Sequence, residues 1–421
     1  MSEFINNQER RREGLLKFSM GIMEGKDGKQ LIDKYKEAIE HVTPYDILAM
    51  EDKQVRMGVS PSKIKKHIEK ILNVIGPHLK KYKWDHPERG HPLYYMMEEN
   101  RHLENLLDEM KGPIKKIELS KEGEVDKKAE MRKLEEYLKR VMEFEKHYLR
   151  KENILFPYLE KKWDYYRPVQ VMWSLHDDIR GHWKSIAKLL AENDDFNDQL
   201  RKQFGELFLW MYRMVFKEEW IMFPVANETL SSAEWQEIQQ HSHEIGYVYI
   251  QPPGEDEMVS STEKEIGTTG LEDIDLEDEK LGLGQVLLGM GTGVLNMEQL
   301  ILMLNNLPID VTYVDENNRV RYFSNPKDRI FPRSPAIIGR SVQNCHPPES
   351  VHIVNQIVEA FKKGEKDNAD FWIKLKGRYI MIRYFALRNS KGEYRGTLEV
   401  SQDITEIKEL EGEKRLLDWE E

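Results

Sequence analysis

Residues 147–157 read HYLRKENILFP, and residues 217–224 read KEEWIMFP. In both stretches polar residues, among them a carboxylate, lead into an apolar residue, a phenylalanine and a proline. Proline cannot continue a helix interior, so each stretch is predicted to end a long helix, with His or Glu one to two turns earlier. A third stretch, residues 172–178 (MWSLHDD), adds His176 between them. Together these stretches predict a helical bundle with His and carboxylate side chains in its interior.

Helical periodicity extends this prediction over residues 85–232. Apolar positions recur at helical spacing near residues 91–111, 128–157, 168–192 and 197–224, and short polar or Gly/Pro segments separate these runs. Four long helices joined by short connections favour an antiparallel four-helix bundle. On these residues, the region resembles the hemerythrin-like (HHE) cation-binding family.

Each helix carries a stripe of mostly apolar residues that is predicted to face the bundle interior, because residues at i, i+3 or i+4 and i+7 share one helix face. An ionisable group buried in such a stripe must be paired or bound to a metal, since desolvating it alone is costly. The four stripes are His91, Tyr95, Glu98 and His102; Phe144, His147, Lys151, Ile154, Leu155 and Tyr158; Met172, His176, Ile179, Trp183 and Ile186; and Phe204, Leu207, Met211, Met214 and Glu218.

The hemerythrin-like family places a His ten residues before the proline of its Leu-Phe-Pro motif and a Glu four residues after that His. Here the first repeat has His147 but Lys151 at the Glu position, and the second keeps Glu218 but has Met214 at the His position. Both replacements disfavour a pair of bound cations. The metal ligands that the resemblance implies are His91, His147, His176 and Glu218, with Glu152, one residue after Lys151, as a candidate if the helix rotates.

Three interpretations of the bundle stay open at this level. The favoured one is a non-haem iron site, either mononuclear or an altered di-iron centre. The second is a haem b between the helices with His176 and Met214 as axial ligands, because His and Met are a known haem pairing. The third is a bundle that binds nothing.

The regions that flank the bundle differ in character. Residues 1–82 have the apolar spacing of short helices, with Thr43-Pro44 and Ser60-Pro61 as predicted helix starts, and are expected to form an N-terminal helical domain. Residues 250–285 are predicted to be an acidic flexible linker. Eleven acidic and two basic residues lie between positions 250 and 280, a composition that cannot bury a core.

Residues 296–408 switch to strand-like signals, and residues 409–421 are predicted to form an amphipathic C-terminal tail. The string VTYVDENNRVRYFS (311–324) and the closing Asp403-Ile404-Thr405 resemble the beginning and end of a PAS sensor domain, a five-stranded antiparallel sheet with helices. The predicted elements are strands at 310–315 and 320–323, a helix at 351–361, and strands at 370–375, 378–387 and 394–403.

The predicted fold class is therefore a multidomain chain of α and α+β type. The domain order, an N-terminal helical domain, a hemerythrin-like bundle and a C-terminal PAS domain, resembles that of a prokaryotic family of unknown function. PAS domains share a shape more than a ligand, so the PAS ligand stays unknown. Cys345, His346 and His352 are candidate cofactor contacts, Cys345 through redox chemistry and the two histidines through haem.

Composition excludes several classes of function. The net charge of −12 argues against nucleic acid as a main partner. No apolar run reaches the roughly 18 residues that span a bilayer, so no membrane partner is expected. The single cysteine, Cys345, and the charged N-terminus fit a cytoplasmic protein. No kinase box, P-loop or basic helix-turn-helix appears, so an enzymatic output is not expected.

The favoured function is a cytoplasmic sensor or regulator. It would bind iron or haem in the bundle, sense oxygen, nitric oxide or redox state, and signal through its PAS domain by contact with an unknown signalling protein. One alternative is a protein of iron handling or iron-centre repair, and another is a metal-free interaction protein. Apolar residues at the C-terminal end predict a homo-oligomer, most simply a dimer.

Overall fold

The structure is a computed structural model that describes residues 2–119, 126–193, 195–252, 288–290 and 292–413. The chain divides into two compact units. The first holds residues 1–261 and 347–349, and the second holds residues 262–346 and 350–421. The predicted acidic linker, apart from its first three residues, lies outside the described residues.

The first unit is helical. Five helices precede the predicted bundle, four long helical segments form it, and one helix follows it. The bounds are α1 Ser2–Met23, α2 Gly28–Lys34, α3 Lys36–Glu40, α4 Pro44–Arg56, α5 Pro61–Leu79, α6 Pro92–Leu119, α7 Lys127–Met142, α8 Glu145–Arg150, α9 Phe156–Lys162, α10 Pro168–Glu192, α11 Asp198–Lys217, α12 Phe223–Thr229 and α13 Ser232–Ile245.

Both predicted helix starts in the N-terminal region are confirmed. The Thr43 side chain accepts a hydrogen bond from the Asp46 backbone at the start of α4, and Ser60 accepts one from Lys63 at the start of α5. In each case the following proline takes the first helical position. A backbone N–H there would have no carbonyl partner within the helix, so its absence costs nothing.

The prediction that Pro157 and Pro224 end their helices is wrong. A π-helical turn precedes each proline, Lys151–Leu155 in the first repeat and Glu218–Met222 in the second, and the α-helix then resumes as α9 and α12. The wider π turn restarts the hydrogen-bonding pattern. Each proline therefore occupies the second position of a new helical segment, where its missing N–H is tolerated.

Burial confirms three of the four predicted interior stripes, because their members on the second, third and fourth bundle helices are all buried. Of the stripe predicted on α6, Tyr95 is buried, but Glu98 and His102 are one residue out of register. Glu98 is only half-buried and pairs with Arg101, and His102 is exposed. The interior positions of α6 are instead Glu99 and Asn100.

The N-terminal helices and the bundle belong to one compact unit and are joined by one buried and one partly buried ion pair. Lys217, at the end of α11, donates to both carboxylate oxygens of Glu51 on α4 at 2.9 Å. Lys65 on α5 donates to the Ser174 hydroxyl of α10 at 2.7 Å and to Asp178 at 2.5 Å. Residues 1–82 therefore pack against the bundle expected at 85–232.

The second unit is built on an antiparallel sheet, as predicted. A short hairpin of β1 and β2 comes first, and the five-stranded sheet has the order β4-β3-β7-β6-β5. An apolar cluster of this unit includes Val314 on β3, Val320 on β4, Ile337 and Val342. The bounds are β1 Leu288–Gly289, β2 Val294–Leu295, α14 Met297–Asn305, β3 Asp310–Asp315, β4 Val320–Phe323, α15 Val351–Lys363, β5 Asn368–Leu375, β6 Arg378–Arg388 and β7 Tyr394–Asp403.

The C-terminal tail is described only in part. Ile407–Glu409 forms a single 3₁₀ turn after β7, and Ile407 and Leu410 are exposed. Residues 414–421, which hold the rest of the predicted apolar stripe, lie outside the described residues. Within the ranges given above, no helix combines the length and the apolar character that a membrane span requires.

The pair of Lys217 and Glu51 generates a stability prediction. Replacing Glu51 with Ala should lower the free energy of unfolding by about 3–5 kcal/mol, because it leaves the Lys217 ammonium buried without a partner. Urea unfolding followed by helical circular dichroism measures the change. The control is Glu135→Ala, which removes an exposed pair with Lys139 and should leave the midpoint unchanged. Equal effects of the two substitutions would contradict the burial of the pair.

Candidate functional site

A continuous chain of hydrogen bonds crosses the interior of the bundle. It runs from Glu99 through His147, Glu218, Lys151 and His176 to Glu152. All six side chains are at most 3% exposed. The helices that supply them are α6, α8 and α10, together with the two π-helical turns. We refer to these six residues as the central network.

The first half of the network centres on His147. Its Nδ1 lies 2.7 Å from Glu99 Oε2, and its Nε2 lies 3.1 Å from Glu218 Oε2. Asn100 also donates to Glu218 Oε2, at 3.0 Å. The ring of Phe144 stacks on the imidazole at 4.4 Å. These contacts fix the imidazole plane and engage both of its nitrogens.

The second half centres on Lys151. Its ammonium donates to Glu218 Oε1 and lies 3.0 Å from His176 Nε2. The other imidazole nitrogen, His176 Nδ1, lies 2.7 Å from Glu152 Oε1. His176 therefore donates through Nδ1 and accepts from the ammonium through Nε2. The ring of Tyr148 stacks on the His176 imidazole at 4.1 Å.

Two arginines close the ends of the network. Arg180 donates to both oxygens of Glu152 at 3.0 Å, and Arg150 donates to Glu99 Oε2. Glu99 Oε1 also accepts from the backbone N–H of Val248, which follows α13, at 2.9 Å. The segment after the predicted bundle thus completes its interior.

Burial and neighbouring charges shift the pKa values of Lys151 and Glu218, the central ion pair, in opposite directions. Burial alone would raise the pKa of Glu218, but the charges and hydrogen bonds of Lys151 and His147 outweigh it and hold that pKa at about 2. Burial lowers the pKa of the Lys151 amine, and Glu218 opposes that shift. Burial also lowers the pKa of His176 well below its ordinary value, and the neighbouring Lys151 adds to the effect. His176 is therefore the neutral member of the network.

The candidate ligands do not fit a bound metal ion in this arrangement. His147, His176 and Glu218 come together as predicted, but the Lys151 ammonium lies between His176 and Glu218. The nitrogens His147 Nε2 and His176 Nε2 are engaged by Glu218 and Lys151. Among the residues that the structure describes, no group of three or more His, Cys, Asp or Glu side chains is arranged to hold a metal.

Three other predicted site residues take separate roles. His91 stands at the start of α6, where its Nδ1 accepts from the Leu93 N–H at 3.2 Å and its ring packs on Trp235, so it is not in the central network. Met214 is buried in the core one turn before Glu218. Glu152 does reach the network, but as the partner of His176 Nδ1. A haem iron would find both nitrogens of His176 already bonded.

Sequence reasoning missed Glu99, Asn100, Arg150 and Arg180. The first two were missed because the α6 stripe was placed one residue out of register. The two arginines were not singled out, although each lies three or four residues from an interior His and so on the same helix face. A search for a basic residue three or four positions after each candidate ligand would have found both.

The three PAS candidates do not form one site. Cys345 is half-buried against the apolar cluster of the second unit, and its thiol donates to the Ser341 carbonyl at 3.6 Å. His346 donates from Nδ1 to the Val342 carbonyl at 2.8 Å, and burial lowers its pKa. His352 is exposed on α15, and its haem contact stays a prediction.

Comparison with protein families agrees with this architecture. Residues 91–226 match the family model described as the hemerythrin HHE cation-binding domain, and residues 300–405 match a PAS domain model. The chain therefore contains a hemerythrin HHE cation-binding domain followed by a C-terminal PAS domain. A search of curated proteins found no match.

Several solved structures are similar to part of this chain. A C-terminal domain from Streptococcus mutans has 31% identity, covers 30% of this chain and 99% of its own, and gives a TM-score of 0.29. A PAS domain from Colwellia psychrerythraea has 16% identity, covers 26% and 98%, and gives 0.22. A sensory box sensor histidine kinase from Vibrio cholerae has 14% identity, covers 25% and 89%, and gives 0.20.

The depressed pKa of Glu218 predicts acid sensitivity. Its carboxyl has a pKa of about 2 in the folded protein against an ordinary 4.5, so the unfolded chain binds the proton more readily between these values. Stability should therefore be complete above pH 4.5 and fall toward pH 2, by on the order of 3 kcal/mol. Glu218→Gln should lose this part of the pH dependence in urea unfolding, whereas Glu135→Gln should retain it. The same pH slope in Glu218→Gln and wild type would refute the assignment.

Proposed function

We propose that this protein is a cytoplasmic sensory regulator that signals by protein contact through its PAS domain. The observation that supports this proposal most directly is that one chain contains both a hemerythrin HHE domain and a PAS domain. The single cysteine, which forms no disulfide, supports the reducing compartment. The net charge of −12 favours proteins over nucleic acids as partners.

The proposal does not include iron or haem. The side chains that would bind iron are hydrogen-bonded to Lys151 and to one another, as described above. The signal that the protein senses therefore acts, in this proposal, on the packing of the helical unit and not on a metal. The downstream partner is a protein that recognises one state of the PAS domain.

The proposed contact is a dimer formed through α14. The core of this helix reads LILML, apolar on every side, and a helix of this kind is normally buried. Yet no residue of α14 is buried among the described residues, and Leu302 and Met303 are 50% and 56% exposed. A second copy of the same helix, related by two-fold symmetry, would cover this surface.

The edge of the PAS sheet adds to this uncovered surface. Strand β5 lies at the end of the strand order, and its residues Phe371, Trp372 and Ile373 are exposed. Trp372 has 72% of its surface accessible. An exposed apolar edge strand is a template for pairing with another chain. Both features support association through the PAS domain.

The dimer generates a direct prediction. Light scattering of the wild type should give twice the chain mass of 49.9 kDa, and the double variant Leu302→Glu, Met303→Glu should give the single mass, because two buried charges cannot be paired in the interface. The matched control Glu298→Gln, on the same helix, should remain dimeric. A wild-type mass of 49.9 kDa would refute the dimer.

Sensing requires that a change in the helical unit alter the PAS contact. Glu218→Gln perturbs the centre of the bundle, so it should change the dimer dissociation constant by about 5-fold or more, the usual lower size of allosteric coupling. Sedimentation analysis at several protein concentrations measures it, with Glu135→Gln as the surface control. A folded Glu218→Gln variant with an unchanged constant would contradict the sensory role while leaving the dimer intact.

A further inference from the structure

The two repeats place Lys151 and Glu218 at equivalent positions. Each residue lies six positions before the proline of its repeat, and each begins a π-helical turn. The side chains of these equivalent residues meet in the interior as an ion pair. Where two carboxylates at these positions would need a cation between them, one carboxylate and one ammonium need none.

Each buried carboxylate of the centre already has a cation as its partner. The buried carboxylates are Glu99, Glu152 and Glu218, and the cations that bond to them are Arg150, Arg180 and Lys151. Each of these three carboxylates therefore has a cation bonded to it, and Arg180 also pairs with the partly exposed Glu145 and Asp177. A metal ion would add positive charge to a site whose buried carboxylates already have cationic partners.

The Lys151 ammonium also makes the connections that a metal would make. It joins its own helical segment to His176 on α10 and to Glu218 after α11, and Glu218 in turn bonds to His147. The supporting contacts resemble those behind metal ligands, since each imidazole has its Nδ1 on a carboxylate that is itself held by an arginine.

We infer that Lys151 is a built-in cation that takes the place of a metal at the centre of this HHE domain. The wild-type bundle holds its helices together through the ammonium and binds no metal there. Lys151 is thus the residue that decides whether the site is metal-dependent. This inference concerns the bundle alone and is independent of the proposed dimer and of sensing.

The test replaces the Lys151 ammonium with a carboxylate. Lys151→Glu changes the local charge by two units and leaves His147, His176 and two carboxylates facing one another, a donor set that suits a transition-metal ion. After incubation with Co²⁺ and desalting, the wild type should retain less than about a tenth of an equivalent and Lys151→Glu about one. Optical spectra of the retained Co²⁺ report its coordination.

Two further variants locate the effect. Adding His147→Ala to Lys151→Glu should abolish the retained Co²⁺, because it removes one ligand. The matched control Lys139→Glu makes the same charge change at an exposed position and should retain no more than the wild type. A folded Lys151→Glu protein without added Co²⁺, or an equal gain in Lys139→Glu, overturns the inference.

The wild type provides a test that does not depend on the folding of a variant. A ligand that binds only the folded state raises the melting temperature. Neither Co²⁺ nor a chelator should therefore shift the Tm of the wild-type helical unit. A Tm that rises with Co²⁺, and does not rise in His147→Ala, would show a metal site in the natural protein and overturn the inference.

Discussion

The buried ion pair of Lys151 and Glu218 is the interaction on which the helical unit depends. Both groups are excluded from water, so removing either one would leave the other buried without its opposite charge. His147 and His176 extend the pair into a network that reaches four parts of the chain. A change at either member therefore affects the packing of the whole bundle, whereas a surface pair contributes little.

The π-helical turns explain how the pair is positioned. Each turn begins at the residue that carries the charge and ends just before the Phe-Pro pair. A π turn adds a residue to the helical repeat, so successive residues can both face the interior. In the first repeat this places Lys151 and Glu152 on opposite sides of the His176 ring, one at each nitrogen. π turns often occur at functional sites, and here they serve the charged centre.

The packing around the network extends beyond the HHE domain as its family model delimits it. The carboxylate of Glu51, on α4, satisfies Lys217 next to the second π turn, and the backbone of Val248 satisfies Glu99. These contacts make the N-terminal helices and the segment after α13 part of the same compact unit. Among the residues that the structure describes, the PAS domain has exposed apolar side chains, such as Leu302 on α14 and Trp372 on β5. These are the side chains on which the proposed association rests.

The sequence by itself determined the type of each domain. Helical periodicity and alternation placed the bundle and the sheet strands within a few residues, because both patterns depend on local geometry. It also identified His147, His176 and Glu218 as interior residues through the helical spacing of the apolar stripes in which they lie. Lys151 was recognised as a departure from the family pattern, but its partner was not.

Only the tertiary structure decided what the centre of the bundle contains. The roles of Glu99, Arg150 and Arg180 depend on which residues of distant helices meet, and residue spacing along one helix carries no such information. The π turns were also hidden, because a proline in the sequence signals a helix end and says nothing about a widened turn before it. The Lys151 ammonium can take the place of a metal because charged side chains from several helices surround it, and only folding brings these side chains together.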